Sequence, residues 1–144
     1  MISKERILKA DVISEKDYLN NTDVIKTINK AYWTSTGLSF GLAYAVVDRQ
    51  VVPICKDIAL GIRPVVRVKK KFPVYRGMKV KIGSNWYTIY KVEKKYYDCV
   101  CDKLVSTSIW DINPMSLYEK SNIIMRVNRY VAREVGLKVR IKDI

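Results

Sequence analysis

The chain of 144 residues contains no histidine. Without an imidazole the commonest general base near neutral pH is missing, and neither a Ser/His/Asp nor a Cys/His nucleophilic set can be assembled. Cysteine is scarce: Cys55, Cys99 and Cys101 are an odd number without an even spacing framework. This argues against a disulfide scaffold and for reduced thiols. It also leaves a metal poorly served, because a structural zinc site asks for four sulfur or nitrogen ligands. No cofactor and no metal is expected. Long hydrophobic runs are missing too. The apolar window Ile54 to Leu60 is broken by Lys56 and Asp57, far short of the roughly 20 residues of a membrane helix. Met1-Ile2-Ser3-Lys4-Glu5-Arg6 leads into no apolar stretch of signal-peptide length. The expectation is synthesis in the cytoplasm with no signal-peptide export and no membrane partner. A phosphate-cradling loop is lacking as well, since Gly37-Leu38-Ser39-Phe40-Gly41 has neither the lysine nor the strand-to-helix setting. Glu93, Asp98, Asp102 and Asp111 are the acids nearest to a cluster, but nothing in their spacing fixes them on one face. The chain reads as a non-enzyme.

Acidic residues are also few: 14 Asp and Glu face 27 Lys and Arg, for a formal net charge of +13. Such an excess favours acidic partners, with an attraction that salt weakens. With 49% apolar residues, the length suits one compact domain over residues 1–144 and is too short for two full cores. Two clusters of cations stand out as partner or anion contacts. Lys69, Lys70 and Lys71 are consecutive, and Arg126, Arg129 and Arg133 recur at helical spacing. A solvated helix face is the plainer account of the arginines.

Along the chain, Ile7 to Ile13 reads as a strand, and Ser14 followed by Asp17 caps a short helix. Val24, Ile25 and Ile28 suggest another turn or two of helix before Ala31. Tyr44 to Val47, the turn Asp48-Arg49 and Gln50 to Ile54 predict a hairpin, with Pro53 marking an edge or a bulge. Gly61 to Val68 supplies another strand. Lys69 to Arg76 is a basic connector broken by Pro73. Met78 to Ile82, the turn Gly83-Ser84-Asn85 and Trp86 to Val92 predict a second hairpin, and Tyr96 to Leu104 a further strand. Cys99 and Cys101, flanking Val100, should point to one face. A long helix is predicted between the capping pair Ser116 and Glu119 and the terminating Gly136. Ile124, Val127 and Val131 would form its buried stripe.

Ala31-Tyr32-Trp33-Thr34-Ser35-Thr36-Gly37, followed by Gly61-Ile62-Arg63-Pro64, resembles the closing half of C-type-lectin-like modules of the sulfatase-modifying-factor type found in bacteria and phages. Gly77 to Ile89 with Trp86, then Tyr97 to Val105, Trp110-Asp111 and Tyr118-Glu119-Lys120-Ser121, is similar to their opening half. The resemblance implies an α+β, C-type-lectin-like fold with short antiparallel sheets, one long C-terminal helix and one or two short N-terminal helices. The halves stand in circularly permuted order: residues 1–68 as the closing half, 69–76 as connector and 77–144 as the opening half. Trp33, Arg63 and Trp86 would be core anchors. Thr34, Ser35, Thr36, Leu38 and Phe40, together with Trp110, Asn113 and Met115, would form display loops. The cysteine chemistry of formylglycine-generating relatives has no matching positions.

Two functions follow as expectations. The first is a non-enzymatic binding and assembly module: a phage virion decoration or tail-associated protein that docks on other subunits and forms homo-oligomers, with halves closed within one chain or swapped between copies. The second is an intracellular nucleic-acid-binding or host-defence-blocking phage protein acting through the two basic clusters.

Overall fold

The computed structural model describes residues 2, 4–39, 41–56, 58, 60–61 and 63–104. After a 3-10 turn at Lys4–Arg6, the described elements are β1 (Ile7–Val12), α1 (Glu15–Asn20), β2 (Tyr32–Gly37), β3 (Leu42–Val47), β4 (Gln50–Cys55), β5 (Pro64–Lys69), β6 (Lys79–Ile82), β7 (Asn85–Val92) and β8 (Tyr96–Cys101). All strand pairings are antiparallel. They build a five-stranded sheet in the order β1-β5-β8-β7-β6 and a three-stranded sheet β2-β3-β4.

This corrects the expected α+β class. Strands make up about half of the structure, and α1, six residues long, is the one α-helix among the described residues. The α+β assignment leaned on the helix expected over 116–136, which lies outside the described residues. Ser14 does cap α1, its Oγ accepting from the Asp17 amide at 3.1 Å. The helix stops at Asn21, whose amide donates to the Tyr18 carbonyl and whose Nδ2 donates to the Asp17 carbonyl at 2.7 Å. Val24 and Ile25 then close a turn on the Asn21 carbonyl rather than a second helix, in keeping with the poor helix propensity of β-branched residues. No described helix is long and apolar enough to cross a membrane.

Period-2 alternation explains both core faces. Ala10, Val66, Cys99 and Ile89 form one row across four strands. With Val12, Val68, Tyr87, Tyr97 and Cys101 they pack against Trp33, Ala43 and Ala45 of the smaller sheet. Both predicted same-face cysteines are therefore buried together. The intervening residues Val65, Tyr90 and Val100 face the other way and join Ile13, Tyr18, Ile25, Tyr32 and Val46 in a second cluster.

Turn chemistry sets the registers. In the β3–β4 hairpin both central residues are left-handed, Asp48 at φ 50° and Arg49 at φ 68°, the signature of a type I′ turn. In the β6–β7 hairpin Ile82 pairs with Asn85, so the loop is the two residues Gly83-Ser84, with Gly83 at φ 60° as a II′ turn requires. Asn85 opens the strand instead of closing the turn. Pro53 lies in β4, an edge strand of the smaller sheet, where no further ladder asks for its missing N–H.

Between β7 and β8 the register slips. Ile89 pairs with Cys99 and Lys91 with Asp98, so Tyr90 is the extra residue of a β-bulge. The Arg76 guanidinium holds the bulge from outside. Its Nε donates to the Tyr90 carbonyl at 3.2 Å, and it makes two hydrogen bonds of 2.7 and 2.6 Å to the Asp23 carboxylate.

Candidate functional site

The sequence-derived site residues separate into three groups. Trp33 and Arg63 are fully buried. Trp86 is not a core residue: it is 53% exposed, because it faces the side of the sheet that the second cluster covers only as far as Tyr90 and Val100. Thr34, Ser35 and Thr36 do not form a display loop. They lie in β2, where the fully buried Thr34 hydroxyl donates to the Tyr44 carbonyl at 2.7 Å. The Ser35 amide donates to the Ile13 carbonyl, and Thr36 Oγ1 accepts from the Glu15 amide. The hydroxyls that suggested a turn instead serve the packing of β2 on its neighbours. Leu38 stands in the turn before β3 and is partly exposed. Phe40, Trp110, Asn113, Met115, Ile124, Val127, Val131, Arg126, Arg129 and Arg133 lie outside the described residues.

Lys69, Lys70 and Lys71 become part of a larger basic ridge. Antiparallel pairing of β5 with β8 sets Lys69 opposite Tyr96, and the ladder runs one step beyond the strands, the Lys70 amide donating to the Lys95 carbonyl at 2.9 Å. The β7–β8 turn thereby carries Lys94 and Lys95 beside the connector. A third segment completes the ridge: Arg6 donates through Nε and Nη2 to the Lys69 carbonyl at 3.2 and 3.1 Å. Its guanidinium lies over the Phe72 ring, 5.6 Å from the centroid.

The electrostatics of the ridge are uncompensated. Among the described residues none of Arg6, Lys69, Lys70, Lys71, Lys94 and Lys95 makes a salt bridge. The nearby Glu93 carboxylate is turned to Lys91, at 3.9 Å. Lys70 donates from Nζ to the Glu93 carbonyl, which fixes the connector. Lys69, Lys71, Lys94 and Lys95 are free to meet an external anion. Phe72, 52% exposed, and Tyr75 add apolar and aromatic surface beside the charges.

A second basic surface surrounds Trp86. The Lys81 ammonium lies 5.8 Å from its ring centroid, and Lys26, Lys79 and Lys103 line a groove of about 400 Å³ beside it. Lys79 is neutralised there by Asp102 at 2.7 Å. Arg6, Lys94 and Lys95 were missed in the sequence because only strand pairing brings them to Lys69–Lys71. The signal available was a two-lysine turn between two predicted strands.

Among the described residues no group of carboxylates and thiols is arranged to hold a metal ion. No protein-family model, curated protein or solved structure matches the chain.

Proposed function

We propose that the chain is a nucleic-acid-binding module that engages phosphate groups through the ridge of Arg6, Lys69, Lys71, Lys94 and Lys95, with Phe72 as a stacking surface. The observation that carries this reading is the convergence of cations from three separate segments, with no carboxylate among the described residues paired to any of them. Holding like charges together costs energy in the free chain, and an incoming phosphate backbone offsets that cost while releasing its own counterions. An exposed aromatic ring within a cationic track suits single strands, because every base offers a face to stack on. The alternative, a virion subunit displaying loops on a lectin-like frame, would need another display surface, since Thr34 to Thr36 lie in β2.

The test is fluorescence anisotropy of a labelled single-stranded oligonucleotide at several salt concentrations. Affinity should fall steeply with salt. Changing Lys71, Lys94 and Lys95 together to Gln should flatten the slope of log K against log salt by about 2, at roughly 0.7 per phosphate contact on a single strand. Phe72→Ala should weaken single-stranded binding more than duplex binding. Binding that is unchanged by the triple variant refutes the ridge as the interface.

A further inference from the structure

The opposite chemistry occupies a cavity of about 250 Å³ between β1, the start of α1, β2 and the β5–β8–β7 face. Three carboxylates line it: Asp11 at the end of β1, Asp17 in α1 and Asp98 in β8. Two cations share it, and both are engaged. Arg67 donates from Nε and Nη2 to the two Asp98 oxygens at 2.9 and 3.3 Å, and its guanidinium also stacks over Tyr96. Lys9, 56% exposed along its side chain, reaches Asp11 at 3.4 Å and can swing into solvent. The cavity is thus a net-negative well in a chain of net charge +13.

Independent of the acids is Tyr90. It follows Trp86 and Thr88 in the period-2 alternation of β7, which sets its ring on the cavity side of the sheet. The residue is 3% exposed and lines the cavity, yet its hydroxyl has no hydrogen-bond partner among the described residues. Burial, then the charges of Asp98, Asp17 and Asp11, push its pKa up, so the hydroxyl stays protonated and its oxygen remains available as an acceptor. The three carboxylates do not converge into a metal-binding group, which suits a larger cation that spans them. Val12, Ile13 and Val65 supply apolar wall.

We propose that this cavity is a binding site for a small organic cation with an alkylammonium head, its N–H groups shared between the Tyr90 hydroxyl oxygen and the carboxylates of Asp17 and Asp11, and its aliphatic part against Val65. The ligand displaces Lys9 from Asp11 and leaves the Arg67–Asp98 pair in place. The site shares no residue with the ridge, so it stands or falls apart from nucleic-acid binding.

The experiment is an amide-proton NMR titration of the full chain with n-butylammonium, using n-butanol as the neutral isostere and sodium chloride at matched ionic strength as the charge control. The expected result is saturable shifts at Ser14, Ser35 and Arg67 with the amine alone. Tyr90→Phe, which keeps the ring, and Asp17→Asn, on the partly exposed helix, should each weaken binding about tenfold, as loss of one charge-assisted contact implies. The same spectra report whether either variant is still folded. N-acetyl-lysine methylamide identifies the source of the head group: tighter binding than butylammonium assigns it to a protein side chain, weaker binding to a free amine. Equal shifts with n-butanol, shifts reproduced by salt, or binding indifferent to both substitutions would overturn the proposal.

Discussion

The two ends of β5 differ in what surrounds their cations. Just before the strand, Arg63 is fully buried with Nε on the Cys101 carbonyl at 2.6 Å and Nη1 on the Tyr32 hydroxyl at 3.0 Å. Further along, Arg67 is half-buried in a bidentate pair with Asp98. At its end and just past it, Lys69, Lys70 and Lys71 make no salt bridge among the described residues. Residues of one charge thus serve packing, then pairing, then attraction, and the change follows what each meets across the sheet. The buried guanidinium places Nε and Nη1 on partners inside the protein and leaves Nη2 with none among the described residues. An exposed ammonium contributes little to the fold and is available to a partner.

The sharpest break of this comparison is Arg63→Ala, which takes the Arg63 donor from the Cys101 carbonyl and one of two partners from the Tyr32 hydroxyl, and leaves a cavity. Urea unfolding should register a loss of about 3–5 kcal/mol. Arg63→Met, which restores volume without the charge, should recover part of it. Asp98→Asn should cost less, roughly 1–2 kcal/mol by the same measurement, since water reaches Arg67 and screens the pair. Charge reversal at Lys71, Lys94 and Lys95 should move stability by only about 0.5 kcal/mol per site while abolishing oligonucleotide binding.

Asp11→Asn should move stability the other way. Burial raises the Asp11 pKa, opposed by the Val12 amide and by the Lys9 and Arg67 charges. The folded chain therefore binds this proton more tightly than the unfolded chain. The stability it confers is full below the ordinary carboxyl value near 4 and is lost as pH rises through the folded value. The asparagine variant should be the more stable protein at neutral pH, and urea curves at descending pH should show the advantage disappear below about pH 4. A modest gain is expected at Arg49→Gly, where relief of the left-handed backbone should raise stability by about 0.5–1 kcal/mol in urea unfolding.

Local signals in the sequence translated well into structure. The alternation of Met78 to Ile82 and Trp86 to Val92, the Asp48-Arg49 turn and the Ser14 cap all depend on neighbours within a few positions, and each element formed. Tyr32–Gly37 was obscured because Thr34, Ser35 and Thr36 have side chains equally suited to a turn; a register shift between Trp33 and Gly37 further hides the strand period. Trp86 misled because alternation gives the face of a residue but not how far the facing core extends. Both candidate sites depend on pairings between distant segments. Lys70 meets Lys95 only through the β5–β8 ladder, and Asp11, Asp17 and Asp98 share a cavity only because β1 and β8 flank β5 in one sheet. The bulge at Tyr90 has no sequence mark, since nothing in Ile89-Tyr90-Lys91 breaks a strand.

The cysteines have a practical consequence. Cys99 and Cys101 are sealed in the core, where burial pushes their thiols up and keeps them from ionising, while Cys55 is exposed at the end of β4. Since a thiolate is the species that reacts, a maleimide dye offered to the folded protein should modify one position and leave the other two for the denatured chain. β4 contributes no residue to the ridge or to the carboxylate cavity. The native sequence therefore already carries a single attachment point from which either surface can be immobilised facing outward or observed by fluorescence.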